Sequence, residues 1–146
     1  MRAKSGFTLV EILIVVVILG ILAAIVIPQF TEASTEAKTN SLMSDLQTVR
    51  SQIELYKVQH NDALPNPEAD GTWPRMTSKT TIAGVVDASG AYGPYLQQIP
   101  KNPFNDKKTV RGEAGASTAG ADTHGWVFNT DTGAFQADDT VSDKTL

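Results

Sequence analysis

Glu11 is the side chain that most clearly requires a partner, because it is the one acidic residue near the start of a long apolar stretch. From Ile12 to Thr31 the sequence carries no charge. That is roughly 20 residues, enough for a helix to cross a bilayer core of about 30 Å. A carboxylate in such a helix costs on the order of 2.5–3.5 kcal/mol on permissive insertion scales. The sequence therefore predicts a partner for Glu11; the alternative is a carboxylate solvated by lipid headgroups at the membrane interface.

A second group of carboxylates, Asp138, Asp139 and Asp143, lies near the C-terminus. These residues follow a predicted hairpin, so they could converge on one hard cation, such as calcium, together with backbone carbonyls. The alternative is a solvated acidic tail. The Asn-x-Asp-x-Gly pattern of residues 129–133 also looks like part of a calcium loop. Because Thr140 stands where that loop would need an acidic ligand, we favour a turn there.

Catalysis by this chain is not predicted from its other polar residues. The only histidines, His60 and His124, lie at a predicted helix end and in a glycine-rich loop. There is no cysteine, which excludes a thiol nucleophile and a disulfide. No serine stands in a nucleophile elbow, and no phosphate-binding glycine loop follows a predicted strand. We therefore expect a protein that is not an enzyme.

One basic group raises the question of nucleic acid. Its members are close in sequence: Lys101, Lys107, Lys108 and Arg111. DNA binding needs basic side chains that neutralise phosphates. The formal net charge of the chain is −4, and Asp106 lies within the group, so solvated surface charge is the favoured interpretation and no nucleic acid partner is expected.

The apolar stretch that carries Glu11 is predicted to be a membrane helix. Arg2 and Lys4 precede it, and the positive-inside bias leaves the N-terminus in the cytoplasm and the rest of the chain across the membrane. One alternative is a cleaved secretory signal, but Ala23 and Ala24 are followed by apolar residues 25–27 without a polar break. A plain single-pass anchor is the other alternative.

The segment around Gly6, which reads GFTLVE, resembles the processing site of type IV pilins and of the pseudopilins of type II secretion. The resemblance implies that a prepilin peptidase cuts between Gly6 and Phe7 and methylates the new amine of Phe7. Glu11 matches the acidic residue of that family, and Pro28 matches its helix proline. Amine and carboxylate would then share one helix face, four residues apart. In a filament, the resemblance implies, the amine of one subunit meets Glu11 of its neighbour and sets the register.

The helix is predicted to continue beyond the membrane, from about Phe7 to about Gln59. Beyond Pro28, apolar residues recur at alternating intervals of four and three, which defines one helix face. That face is predicted to cover the sheet of the globular domain, with a coiled-coil seam as the alternative. Its members are Leu42, Leu46, Val49, Ile53 and Tyr56.

Gly20 and Pro28 interrupt this helix with two residues that weaken it. Proline removes a backbone hydrogen bond, and glycine costs about 1 kcal/mol relative to alanine. The span between them is predicted to bend or melt; the alternative is a simple kink that fits a helix bundle.

The remaining chain is predicted to form a small globular domain. After Asn61 comes a loop that Trp73 and Met76 pin inwards. Residues 92–105, with GPYL and then P-x-x-P, resemble a segment of major pseudopilins. The Gly/Ala-rich residues 112–120 depart from that pattern and indicate a flexible loop.

Alternating residues around 126–128 and 134–136 predict a β-hairpin, and a strand near 109–111 is expected to join it in an antiparallel sheet.

The predicted fold class is α+β and pilin-like: a long N-terminal helix packed on a small antiparallel sheet. Its parts are a leader (1–6), an assembly helix (7–30), an amphipathic continuation (31–60) and a loop-rich domain (61–146). The resemblance implies a type II secretion pseudopilus subunit, exported from the bacterial inner membrane, that forms a homo-oligomeric filament. It implies an assembly platform, minor pseudopilins and lipid as further partners, and a calcium-binding C-terminal loop. A type IV pilus subunit and a DNA-binding competence pilin are the alternatives.

Overall fold

A computed structural model describes residues 6–116 and 120–140 of the chain, so Asp143 lies outside the described residues. The chain divides into two compact units, Met1–Ala37 and Lys38–Leu146. The secondary-structure elements are α1 Leu9–Gln59, α2 Pro74–Thr77, β1 Val110–Glu113, β2 Trp126–Asn129 and β3 Phe135–Ala137. The long helix α1 and the three-stranded sheet make this an α+β, pilin-like fold, as the sequence predicted.

Between Ile12 and Phe30, α1 consists almost entirely of apolar residues, and they are exposed. The predicted helix start at about Phe7 falls within two residues of the observed start at Leu9. Half or more of the surface of Ile12, Leu19 and Ile25 is exposed. By length and composition α1 could cross a membrane, because its backbone groups bond within the helix and its apolar side chains face outwards.

The second unit contains the hydrophobic core. The predicted helix face is confirmed, since all five of its members, from Leu42 to Tyr56, are buried. They join the sheet residues Trp126, Phe128 and Phe135 in a single cluster. Arg50 fastens α1 to the sheet, because its Nε and Nη2 donate to the carbonyl of Phe135 at 3.1 and 2.9 Å.

The loop that follows α1 is pinned to this core in the predicted way. Trp73 is 1 % exposed and Met76 is fully buried. The ring of Trp73 lies 5.3 Å from that of Phe128 and 5.5 Å from that of Phe135. Its indole nitrogen donates to the carbonyl of Pro65, which satisfies the buried polar group.

The sheet has the strand order β1-β2-β3. The predicted hairpin is confirmed, because β2 and β3 are antiparallel with Phe128 opposite Phe135. The third strand joins as expected but runs parallel to β2, with Val110 opposite Trp126. The antiparallel prediction for this pair is therefore corrected. About a dozen residues separate β1 from β2, which is the connection length that a parallel return needs, whereas an antiparallel pair needs only a tight turn.

Candidate functional site

Gly6 and Phe7 lie just before α1 in a segment without regular secondary structure, and both are exposed. Phe7 keeps 83 % of its surface exposed. A Cβ atom added at Gly6 would meet no other atom within 4 Å. The fold of the subunit therefore does not require glycine at this position, and any requirement for it must come from a molecule that acts on the chain.

Glu11 lies in the first turn of α1 and is held by Thr8. The backbone nitrogen and the hydroxyl of Thr8 donate to Oε2 of Glu11 at 2.8 and 2.7 Å. In return, the Glu11 nitrogen donates to the Thr8 hydroxyl at 3.2 Å. This reciprocal arrangement is a capping box, which satisfies backbone donors at a helix start. It fixes the Glu11 carboxylate at the positive end of the helix dipole.

Gly20 and Pro28 both lie inside α1, which is assigned as one helix from Leu9 to Gln59. A Cβ at Gly20 would meet nothing within 4 Å. Three residues after Pro28, the hydroxyl of Thr31 donates to the carbonyl of Ile27 at 3.2 Å. The bend or melting between Gly20 and Pro28 stays a prediction.

Asp138 follows β3, and its carboxylate accepts five hydrogen bonds. Its side chain is fully buried. Oδ1 accepts from Nη2 of Arg111 at 3.1 Å and from the nitrogens of Gly120 and Ala121 at 3.2 and 3.0 Å. Oδ2 accepts from the Thr123 hydroxyl at 3.1 Å and from the His124 nitrogen at 3.0 Å. Five donors thus converge on a carboxylate that offers about four lone-pair sites.

These donors decide the charge state of Asp138. Burial alone raises the pKa of a carboxyl group, because it penalises the ion. Here the hydrogen bond from the His124 nitrogen, the charge of Arg111 and the bonds from Thr123 and Ala121 outweigh burial, and the pKa of Asp138 lies below its usual range. Asp138 is therefore a buried carboxylate anion.

Asp139 is held by residues of the segment that precedes β1. It is 4 % exposed, and its Oδ2 accepts from Nδ2 of Asn102 at 2.9 Å. The same nitrogen donates to the carbonyl of Gly125 at 2.9 Å. Asn105 reaches the carbonyl of Asp138 at 3.1 Å. The idea of a solvated acidic tail is therefore wrong for Asp138 and Asp139.

The surroundings of Asp138 do not fit a calcium ligand. Calcium takes six to eight oxygen ligands, whereas the groups that face Asp138 are N–H, hydroxyl and guanidinium donors. Within residues 6–116 and 120–140, no three His, Asp or Glu side chains are grouped as a metal site. The part of the calcium prediction that falls on Asp143 is not tested, because that residue lies outside the described residues.

The Asn-x-Asp-x-Gly segment forms a turn, as the sequence favoured. The Asn129 Oδ1 accepts from the nitrogens of Asp131 and Thr132 at 2.9 and 2.8 Å. Gly133 has a φ of 79°, which favours glycine. The Asp131 carboxylate accepts from the nitrogen of Gly115 at 2.7 Å. These oxygens stabilise the turn between β2 and β3.

The side chains of the basic group (Lys101, Lys107, Lys108 and Arg111) bond to other residues of the same chain. The amine of Lys101 lies 2.7 Å from Asp106, and that of Lys107 lies 3.5 Å from Asp122. Lys108 donates to Gln98 at 3.3 Å. Arg111 pairs with Glu113 and Asp138. Acidic partners for three of these four side chains weaken the case for a phosphate-binding surface.

Sequence reasoning missed three residues that bond to the candidate carboxylates: Thr8, Asn102 and Arg111. Thr8 carried a usable signal, since a Thr three residues before a Glu at the start of an apolar run is the pattern of a capping box. Arg111 was grouped with surface lysines. Only the folded chain brings it to Asp138, 27 residues away.

Comparison with known proteins first defines the class. The sequence profile of the prokaryotic N-terminal methylation motif matches residues 1–27, the segment that contains Gly6, Phe7 and Glu11. Together with the long apolar helix and the small sheet, this match places the chain among the pilin-like proteins with that motif. No solved structure matches the chain.

The relatives then define the family. The chain is 31% identical to the type II secretion system core protein G of Pseudomonas aeruginosa, over 86% of this chain and 96% of that protein. It is 29% identical to the core protein G of Vibrio cholerae, over 86% of this chain and 94% of the relative. The chain belongs to the family of type II secretion system core protein G, the major pseudopilins. A fimbrial protein of Neisseria meningitidis is 30% identical over 66% of this chain and 49% of its own length.

Proposed function

We propose that this chain is the major structural subunit of a type II secretion pseudopilus, which assembles from the inner membrane as a homo-oligomeric filament and drives protein export. The observation that carries the proposal is the exposed apolar surface of α1, a helix that starts two residues after Phe7. Large apolar surfaces mark sites of contact with lipid or protein. Lipid covers this surface before assembly, and the helices of neighbouring subunits cover it in the filament.

Processing by a prepilin peptidase prepares the subunit. The enzyme cuts between Gly6 and Phe7 and methylates the Phe7 amine. The exposure of both residues supports this step, because the scissile bond lies outside the helix that starts at Leu9. The N-terminus lies in the cytoplasm and the second unit on the opposite side of the inner membrane, in line with Arg2 and Lys4 before the apolar stretch.

Glu11 guides the incoming subunit. Thr8 holds Oε2, and Oε1 makes no hydrogen bond to any residue from 6 to 116 or from 120 to 140. That oxygen can accept a bond from the Phe7 amine of a neighbouring subunit. An ion pair in low dielectric adds little net stability unless its geometry is good. Glu11 therefore acts mainly on the register of the filament.

The remaining partners follow from this role. An inner-membrane assembly platform and minor pseudopilins act on the growing filament, and lipid surrounds α1 before assembly. The chain performs no catalysis of its own. The chemistry at Gly6 and Phe7 belongs to the peptidase.

Deletion of the gene in its own host tests the function. Exported proteins should disappear from the culture medium and accumulate behind the outer membrane, and a plasmid copy of the gene should restore export. Surface pili should remain, because the subunit belongs to the secretion apparatus. Normal export in the deletion strain would contradict the proposal.

A type IV pilus subunit is the second candidate, and the similarity to the fimbrial protein of Neisseria meningitidis favours it. The same deletion strain separates the two. Loss of surface pili with normal export would assign the chain to a pilus.

A further inference from the structure

Arg111 and Asp138 connect the two outer strands of the sheet. Arg111 stands on β1, and Asp138 directly follows β3, whereas β2 lies between these strands. The Arg111 Nη2 lies 3.1 Å from the Asp138 Oδ1. Arg111 also pairs with Glu113 on its own strand. The ion pair therefore crosses the sheet near the start of β2 and fixes the position of Asp138 directly after β3.

The same carboxylate accepts hydrogen bonds from the last residues of the connection between β1 and β2. Four of its donors come from residues 120–124, which lead into β2. The three backbone N–H groups among them present the positive ends of their dipoles to the carboxylate. A cation beside Asp138 would have to displace these donors, and it would face a guanidinium group that already carries the positive charge.

We propose that Arg111 replaces a bound divalent cation in this chain: its guanidinium holds the Asp138 carboxylate beside residues 120–124, so the globular unit needs no metal at this position. The resemblance to major pseudopilins implies a calcium-binding C-terminal loop, and the donor set around Asp138 does not fit one. An arginine of the same chain carries a positive charge and a fork of N–H groups that bind a carboxylate. Unlike a bound ion, it cannot dissociate. The calcium concentration outside the cytoplasm then has no effect on this part of the fold.

The mature full-length protein in detergent micelles allows a direct test. Thermal unfolding is followed by the fluorescence of Trp73 and Trp126, which are both buried in the globular unit. The wild type should have the same Tm in calcium chloride and in the chelator EGTA. Arg111→Gln should lower the Tm by about 10 °C in both solutions, because removing one partner leaves a buried charge uncompensated. Lys108→Gln, which removes an exposed charge from the same region, is the matched control and should melt like the wild type.

Two results would overturn the proposal. One is a wild-type Tm that rises when calcium replaces the chelator, since a ligand that binds only the folded state stabilises it by mass action. The other is an Arg111→Gln protein that melts with the wild type. If Arg111→Gln yields no folded protein, Arg111→Lys takes its place: this variant keeps the charge but loses the fork. A Tm below that of the wild type, and equal in both solutions, supports the proposal, and a calcium-dependent Tm overturns it.

Discussion

At the scale of single residues, Glu11 and Asp138 are both carboxylates whose donors come from their own chain. Thr8 donates twice to Glu11, which lowers the cost of placing this charge in a membrane helix. Asp138 receives five donors in the interior of the globular unit. In the proposed filament, the second oxygen of Glu11 binds a neighbouring subunit, whereas both oxygens of Asp138 accept hydrogen bonds within the fold.

The glycine at the processing site gives the first prediction. Gly6→Val should leave uncut precursor in the membrane, because a branched side chain next to the scissile bond hinders the peptidase. The subunit itself should fold normally, since a Cβ at Gly6 meets no other atom within 4 Å. Mass spectrometry of membrane fractions gives the N-terminus of each form, and the wild type should start at a methylated Phe7.

Gly20→Val is the matched control for this experiment, because Gly20 has equally open surroundings but lies away from the cut. It should be cut like the wild type. A wild-type chain that starts at Met1, or after Ala24, would contradict the assignment of the processing site.

The second prediction concerns pH and Asp138. The pKa of its carboxyl group is lowered in the folded protein, whereas the pKa of an unfolded Asp is about 3.9. The ionised group thus contributes stability that is fully present above about pH 4 and is lost as the pH falls through the folded pKa. The Tm of the globular unit should fall in this acidic range. Asp138→Asn should have a lower Tm at neutral pH and a weaker pH dependence, and an unchanged pH dependence would contradict this role.

At the scale of elements, the sequence specified α1 most completely. The alternation of intervals of four and three from Leu42 to Tyr56 identified the buried face without error, because the helical period maps directly onto sequence. The hairpin of β2 and β3 was also predictable, since its strands are adjacent and its turn residues are local signals. The parallel direction of β1 was not, because pairing through a long connection leaves no local pattern.

The buried face of α1 supplies the third prediction. Leu46 is 2 % exposed in the core, and Leu55 is 43 % exposed on the same helix. Leu46→Ala should lower the free energy of unfolding by about 2–5 kcal/mol, because it leaves a cavity. Leu55→Ala makes the same chemical change on the surface and should cost less than about 1 kcal/mol. Urea unfolding followed by tryptophan fluorescence measures both, and equal losses would show that the assigned core face is wrong.

At the scale of the whole molecule, the two units carry different parts of the function. The first unit contains Gly6, Phe7, Glu11 and the exposed apolar surface, which in the proposed function contact the peptidase, neighbouring subunits and lipid. The second contains the core and the bonds that hold its loops. Local sequence motifs were sufficient to recognise the methylation motif of residues 1–27, because its residues are contiguous. They missed the contact of Asn102 with Asp139, 37 residues away, because folding alone brings such residues together.

Assembly of the subunits into filaments should depend on Glu11, and a comparison of two strains measures this directly. The wild type and Glu11→Ala are overproduced in the host, and sheared filaments and cross-linked membrane fractions are compared. Both chains should insert into the membrane and be cut before Phe7, because removing a charge from the helix does not hinder insertion. The wild type should form filaments, and Glu11→Ala should remain as unassembled subunits. Glu11→Ala filaments at the wild-type level would contradict the role of Glu11 in assembly. A wild type that forms no filaments would contradict the proposed function.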